Sequence, residues 1–281
     1  MIRRIAVSFA LVAGMVYGQV AQPKPKSQKE IDALQAIFGA QDPDVRIQAV
    51  ENLLTNFADT EFKAIALQVA AASAQQKNDF EKMIIYSERT LDADAKNFGA
   101  MLMLASGIAQ RTREFDLDKE EKLARSEKYA NASIPLIKAA TKPRPDLADA
   151  EWESAKQSYL AQAYEALGLS AMVRKKYDDA AKQFEQAIAT SPDGTTYVRL
   201  AAAYNQAKKP EQAIATLDKL NSVTDLHPAV KAAAAQERNN AVKLKGGAAG
   251  ASTPAPAGAG PAGAATATPT PTPAPTPTPA K

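Results

Sequence analysis

The residue types that do chemistry are scarce in this chain and poorly placed for it. There is no cysteine, so it has no thiolate nucleophile, disulfide framework or thiolate metal site. His227 is the sole histidine, which rules out His-based triads, the H-E-x-x-H zinc motif and any multi-histidine metal site. It precedes Pro228 at a helix start, and no partner set can be named for it. Asp116, Asp118, Glu120 and Glu121 alternate like the first ligands of a calcium loop. The loop glycine and the twelfth-position Glu are missing, so these acids read as the negative start of a helix, favoured by its dipole. No P-loop occurs. Carboxylate pairs stand on every helical stretch, as solvated faces carry by default. The sequence therefore predicts no catalytic residue, no cofactor and no metal. An enzyme built on an unrecognised carboxylate site stays open as one reading.

Charge narrows the partners further. The net charge of +3 is set by the ends. Arg3 and Arg4 lie at the N-terminus, and Lys281 is the only charge from Gly246 onward. The segment between is neutral, with no general drive toward nucleic acid or anionic lipid. Arg174, Lys175 and Lys176 form a short basic run at an inter-helix turn, where solvated charge is expected.

Helical periodicity must position whatever function remains. Ser27 and Glu30 have capping-box spacing, followed by Ile31, Leu34, Ile37 and Phe38 on one helix face, with Gly39 closing it. Asp42-Pro43 opens the next helix, with Val45, Ile47, Val50, Leu53, Leu54 and Phe57 as its apolar side. Asn78 and Glu81 pair as a second cap. A helix over about 96–113 carries Phe98, Met101, Leu102, Leu104 and Ile108. The segment 113–125 is longer and more charged than a tight turn needs. A helix over about 119–140 follows, with Pro135 inside to kink or divide it. A long helix runs from Asp146–Asp149 through Val173, with Trp152, Ala155, Tyr159, Ala163 and Ala166 on one stripe. That stripe makes Trp152 a core residue. The last helix opens near His227-Pro228 and stops at Lys245 before Gly246-Gly247.

Residues 161–194 carry a repeat signature. Tyr164, Leu167 and Gly168 have the spacing of W-x-x-L-G, Ala180 and Phe184 that of A-x-x-x-F, and Tyr177, Ala187 and Pro192 complete the frame. Leu200, Ala201 and Tyr204, then Ala213 and Leu217, restate it one unit later. The stretch resembles a tetratricopeptide repeat, a helix–turn–helix unit of 34 residues. In an earlier stretch, Phe80, Met83 and Ser87 fit the places of Tyr177, Ala180 and Phe184. The phrase Phe57–Phe62, an alanine-rich helix and Asn78–Lys82 are similar to repeats of exported bacterial envelope tetratricopeptide proteins, with Ala58 where those carry a proline. The resemblance implies an all-α solenoid of about five helix pairs plus a C-terminal capping helix, and a platform for protein partners.

Composition sets the boundaries. Residues 1–18 read as a signal peptide: Arg3 and Arg4, an apolar run from Ile5 to Val16, and Val16 and Gly18 before a cleavage point at Gln19. Residues 19–26 are a flexible lead and 27–245 the solenoid. Residues 246–281, with half of the chain's 18 prolines, are expected to be a disordered Pro/Thr/Ala/Gly tail tending to polyproline II. Export to a bacterial periplasm or exterior follows, with no transmembrane segment after cleavage. Without cysteine there is no lipoprotein anchor.

The repeat frame places Gln68, Ala72, Gln75, Gln162, Glu165, Leu169, Val198, Ala202 and Asn205 on the inner surface. Some domains of this type clamp a peptide carboxylate with lysines there, and this set has none. A mixed Gln/Leu/Asn surface suits an extended or helical protein segment. The expected function is an exported protein-binding scaffold without catalysis. The alternative is a structural envelope element attached through its Pro/Thr tail. The frame makes Phe184 a core wedge, so Phe184→Ala is expected to cost about 3–5 kcal/mol in a denaturant melt. A loss under about 1 kcal/mol would break the frame.

Overall fold

Eleven helices and no strand occur among the residues described by the structure, a computed structural model covering residues 23–220, 222–223 and 226–251. They are α1 (Gln28–Gly39), α2 (Pro43–Asn56), α3 (Lys63–Gln76), α4 (Phe80–Ala93), α5 (Phe98–Arg111), α6 (Lys119–Ala139), α7 (Asp149–Val173), α8 (Tyr177–Thr190), α9 (Gly194–Gln206), α10 (Pro210–Leu220) and α11 (Pro228–Ala251). The signal-peptide stretch, the lead up to residue 22 and the tail from residue 252 lie outside the described residues.

Side-chain caps fix many of the starts. Ser27, Asp42, Asp79, Asn97 and Asp193 each accept from a first-turn amide, satisfying donors that the helix leaves unpaired. The second cap is thus Asp79, which accepts from the Lys82 amide, and not Asn78. The Ser27–Glu30 box has a shifted return arm. Glu30 Oε2 accepts from the Lys26 amide at 2.6 Å, and Oε1 from Thr60 Oγ1 at 2.6 Å. This buried carboxylate therefore ties the first helix pair to the second.

The turns inside three pairs share one geometry. Asn78, Lys175 and Lys208 all sit in the left-handed region, with φ of 58°, 61° and 60°. The amides of Asp79, Lys176 and Lys209 reach back to the carbonyls of Ala74, Ala171 and Tyr204, each at 2.9 Å. This is the Schellman closure, where glycine is the usual occupant. The α5–α6 connection breaks the pattern with a loop over residues 112–118.

Each helix packs on its successor. The first helices of neighbouring pairs also meet, α5 on α7 and α3 lightly on α5, and α9 meets α11. No second helix makes a comparable contact with another second helix, so the stack curves with α3, α5 and α7 on its inner side, and Arg199 and Thr196 on α9 join α7 there through Glu165. The interior is built on close approach. A Cβ placed on Gly168 would lie 2.5 Å from Phe184 Cε1, and Phe184 is fully buried. Ser126 Oγ donates to the Ala105 carbonyl at 2.7 Å and lies 3.2 Å from Ser170 Oγ, joining α5, α6 and α7. Trp152 packs with Phe98, Leu102 and Ile137 in the core.

Three local expectations change. Val45 is exposed, while Arg46 is buried and donates to the Ala40 carbonyl and to Ser73 Oγ. The buried residues of α2 are Arg46, Val50 and Leu53, so the inward stripe starts one residue later than the apolar pattern suggests. Helix α6 runs unbroken through Pro135. Helix α11 continues six residues past Lys245 to Ala251. Gly246 is not in the left-handed conformation a C-cap needs, and the alanines after it favour helix.

Two outcomes test this packing. Gly168→Ala gains helix propensity of about 1 kcal/mol but must displace a buried ring, a strain of about 1–3 kcal/mol. A net loss of about 1 kcal/mol in a urea melt is expected. Lys208→Gly relieves a left-handed strain of about 1–2 kcal/mol against a smaller chain-entropy cost. The same melt should show a gain of about 0.5–1 kcal/mol.

Candidate functional site

The inner face is assembled from the exposed sides of the first helices. Helix α5 contributes little, since ten of its 14 residues are buried. This separates Gln75, exposed near the end of α3, from the residues on α7 and α9. Those two helices bring together the rest of the expected set. Gln162 is exposed on α7, and Glu165 one turn on is half-buried. Leu169 and Val198 are half-buried against the C-terminal core cluster.

Two of the expected binding residues are structural instead. Gln68 is buried and accepts from Asn97 Nδ2 at 3.1 Å. Asn97 Oδ1 also accepts from the Ala100 amide at 2.9 Å, so one side chain caps α5 and holds α3. Asn205 is buried under α11. Its Nδ2 donates to the Glu237 carbonyl at 2.9 Å and to Glu237 Oε2 at 2.8 Å. Both sit where a neighbouring helix closes over them, which repeat position alone does not reveal. Ala72 and Ala202 are half-buried and small.

One residue absent from the expected set belongs to this face. Arg199 pairs with Glu165, and Thr196 Oγ1 donates to the same carboxylate at 3.0 Å. The face therefore presents a crosslinked Glu–Arg pair beside Leu169 and Val198, with Gln162 free to hydrogen-bond. The strip thus sets hydrogen-bonding groups beside an apolar centre. Among the described residues no group of three or more His, Asp or Glu could hold a metal. No described helix is long and apolar enough to cross a membrane. Burial raises the Tyr159 hydroxyl above its ordinary pKa, but the ring packs against Phe98 at 5.6 Å.

Residues 171–237 match the tetratricopeptide repeat family. No curated protein matches the chain in sequence. Among solved structures, the crystal structure of a MamA protein superposes with a TM-score of 0.52 at 14% identity, covering 72% of this chain and 99% of that one. A thermophilic TPR protein of Thermus thermophilus gives 0.46 at 15% identity, over 74% of this chain and 98% of that one. The fold is a tetratricopeptide-like α-solenoid of helix–turn–helix repeats.

Asn205→Ala would remove the side chain that ties α9 to both the carbonyl and the carboxylate of Glu237 on α11. The expected cost is about 1–3 kcal/mol in a denaturant melt. Amide exchange should accelerate in α11 before it does in α1–α4.

Proposed function

We propose that this chain is an exported protein–protein interaction scaffold of a bacterial envelope. It binds an extended or helical protein segment along the inner strip of α7 and α9 and performs no catalysis. The observation that carries the reading is the juxtaposition of Leu169 and Val198 with Gln162 and the Glu165–Arg199 pair on neighbouring first helices. A half-buried apolar centre with a polar rim is how a short peptide segment is held. The basic, apolar and small-residue order of residues 1–18 supports export. The absence of cysteine supports a route without a lipid anchor. The Pro/Thr composition of residues 252–281 favours a second reading, in which the chain is a structural envelope element attached through that tail.

A crosslinking pull-down from the native envelope fraction, using the chain truncated after Ala251, tests the first reading. One enriched protein is expected. It should be lost with Gln162→Ala, Leu169→Ala and Val198→Ala combined, in a variant whose circular dichroism is unchanged. Enrichment that survives this triple variant would remove the inner strip from the proposal. No enrichment, with only the full-length chain sedimenting with the envelope, would favour the structural reading.

A further inference from the structure

On the outer side, α8 and α10 leave a groove floored by α9, with a volume of about 390 Å³. Tyr197 and Tyr204 stand in its floor with Leu200 between them, and Ile188 forms part of one wall. The two rings are seven residues apart on one helix, about 10.5 Å. On the other wall Gln212 and Lys219 of α10 repeat that spacing. Tyr204 donates to Glu185, so the one carboxylate in the lining is engaged within the groove. The side chains of Tyr197, Gln212 and Lys219 hydrogen-bond to no other described residue. The groove therefore combines aromatic faces with spare donors and needs no charged partner.

The same chain carries a segment of complementary chemistry. From Pro269 to Pro279 every second residue is proline, with Thr or Ala between, and none is charged. Each ring fixes its own φ. Each intervening residue precedes a proline, which pushes it toward extended backbone. Such a run favours polyproline II, so little ordering entropy is lost when it docks. It keeps every backbone carbonyl but lacks every second amide, so it calls for donors. One turn of polyproline II rises about 9.3 Å, close to the spacing of the two tyrosines. Aromatic-lined grooves are the usual seat of such strands.

The connection is long enough. Lys245 lies 3.9 Å from Glu211 and Arg238 2.5 Å from Asp218, so α11 runs antiparallel to α10. Its end at Ala251 is six residues past Lys245, about 9 Å beyond the Gln212 end of the groove. The stretch 252–268 spans up to about 60 Å. A tether on this scale holds the run at a local concentration of the order of 1 mM.

We propose that residues 269–279 dock as a polyproline II strand across Tyr197 and Tyr204, in the α8–α10 groove of the same molecule. The contact uses the outer side and leaves the inner strip open. It shares no residue with the peptide-binding reading, and its failure leaves that reading untouched.

The chain has no cysteine, so Ala280→Cys gives the full chain one site for a nitroxide spin label, just past the run. In amide NMR spectra, Ile188, Ala189 and Ala215 should lose more than half of their intensity to the label, while Gln162 and the amides of α1–α4 keep theirs. Pro271→Gly, Pro273→Gly and Pro275→Gly combined should restore the lost signals. Ala215→Arg should do the same, by filling the groove from an exposed helical position. Ala189→Arg on the opposite wall serves if that variant melts early. Broadening spread evenly over the body, or centred away from the groove, would overturn the proposal. So would broadening that survives the glycine variant or the groove variants. Equal broadening of isotope-labelled, label-free chains mixed with spin-labelled ones would overturn it as well, because the strand would then come from a second copy.

Discussion

The fold depends on how closely the two helices of a pair can cross. At α7–α8 the crossing leaves no room for a Cβ on Gly168, and the fully buried Phe184 ring occupies that space. Side-chain size at this point fixes the register of one helix against the other. A small residue across from a large one is the ridge-into-groove solution in its most compact form. The register of each pair decides which stripe faces the next pair. Because no single pair closes a core, an error at one crossing would propagate along the stack. The same logic explains the buried serines. Ser126 and Ser170 let α6 and α7 approach α5, and their hydroxyls find partners inside the contact.

The middle of the body departs from the repeat. Helix α5 is enclosed by α3, α4, α6 and α7, and its sequence is apolar or small nearly all round, as an enclosed helix requires. Its connection to α6 cannot use the short left-handed turn of its neighbours, because residues 112–118 form a longer loop. That loop is then tied to the next pair by Glu114–Lys175, while Arg174 reaches Glu120 at 2.7 Å and also pairs with Glu127. Arg174 and Lys175, read as solvated charge at a turn, are therefore the cationic half of an inter-pair fastening. Ion pairs with this much exposure contribute little energy each. Glu114–Lys175 orients the loop, and the two pairs of Arg174 hold the start of α6.

The helical architecture was legible because its signals are local and redundant. Periodicity, caps and the Gly168–Phe184 spacing all point to stacked helix pairs. What was missed depends on neighbours distant in sequence. Gln68 and Asn205 occupy inner-surface positions in the repeat frame, yet Asn97 and Glu237 draw them inside. Arg46 is buried because the Ala40 carbonyl and Ser73 await it, and nothing in the α2 pattern announces those acceptors. The turns were opaque for a different reason. Lysine carries no left-handed signal, yet Lys175 and Lys208 hold that conformation. None of the helical glycines from Gly99 to Gly194 adopts positive φ, and all of them serve close packing. The polar half of the inner strip was only partly visible, since Arg199 gains its meaning from Glu165 on another helix.

Helix α7 gives the body a mechanical character. Its buried residues enter three core clusters: Trp152, Leu160 and Ala163 in one, Ala166 in the second and Ala171 in the third. At 25 residues it is a rod of about 37 Å, and the cluster under α8–α11 is joined to the preceding ones through it. A pull applied at the two ends of the stack converges on this rod as shear. The apolar contacts along α7 resist that shear together, whereas the ion pairs of Arg174 and Lys175 bear it one at a time.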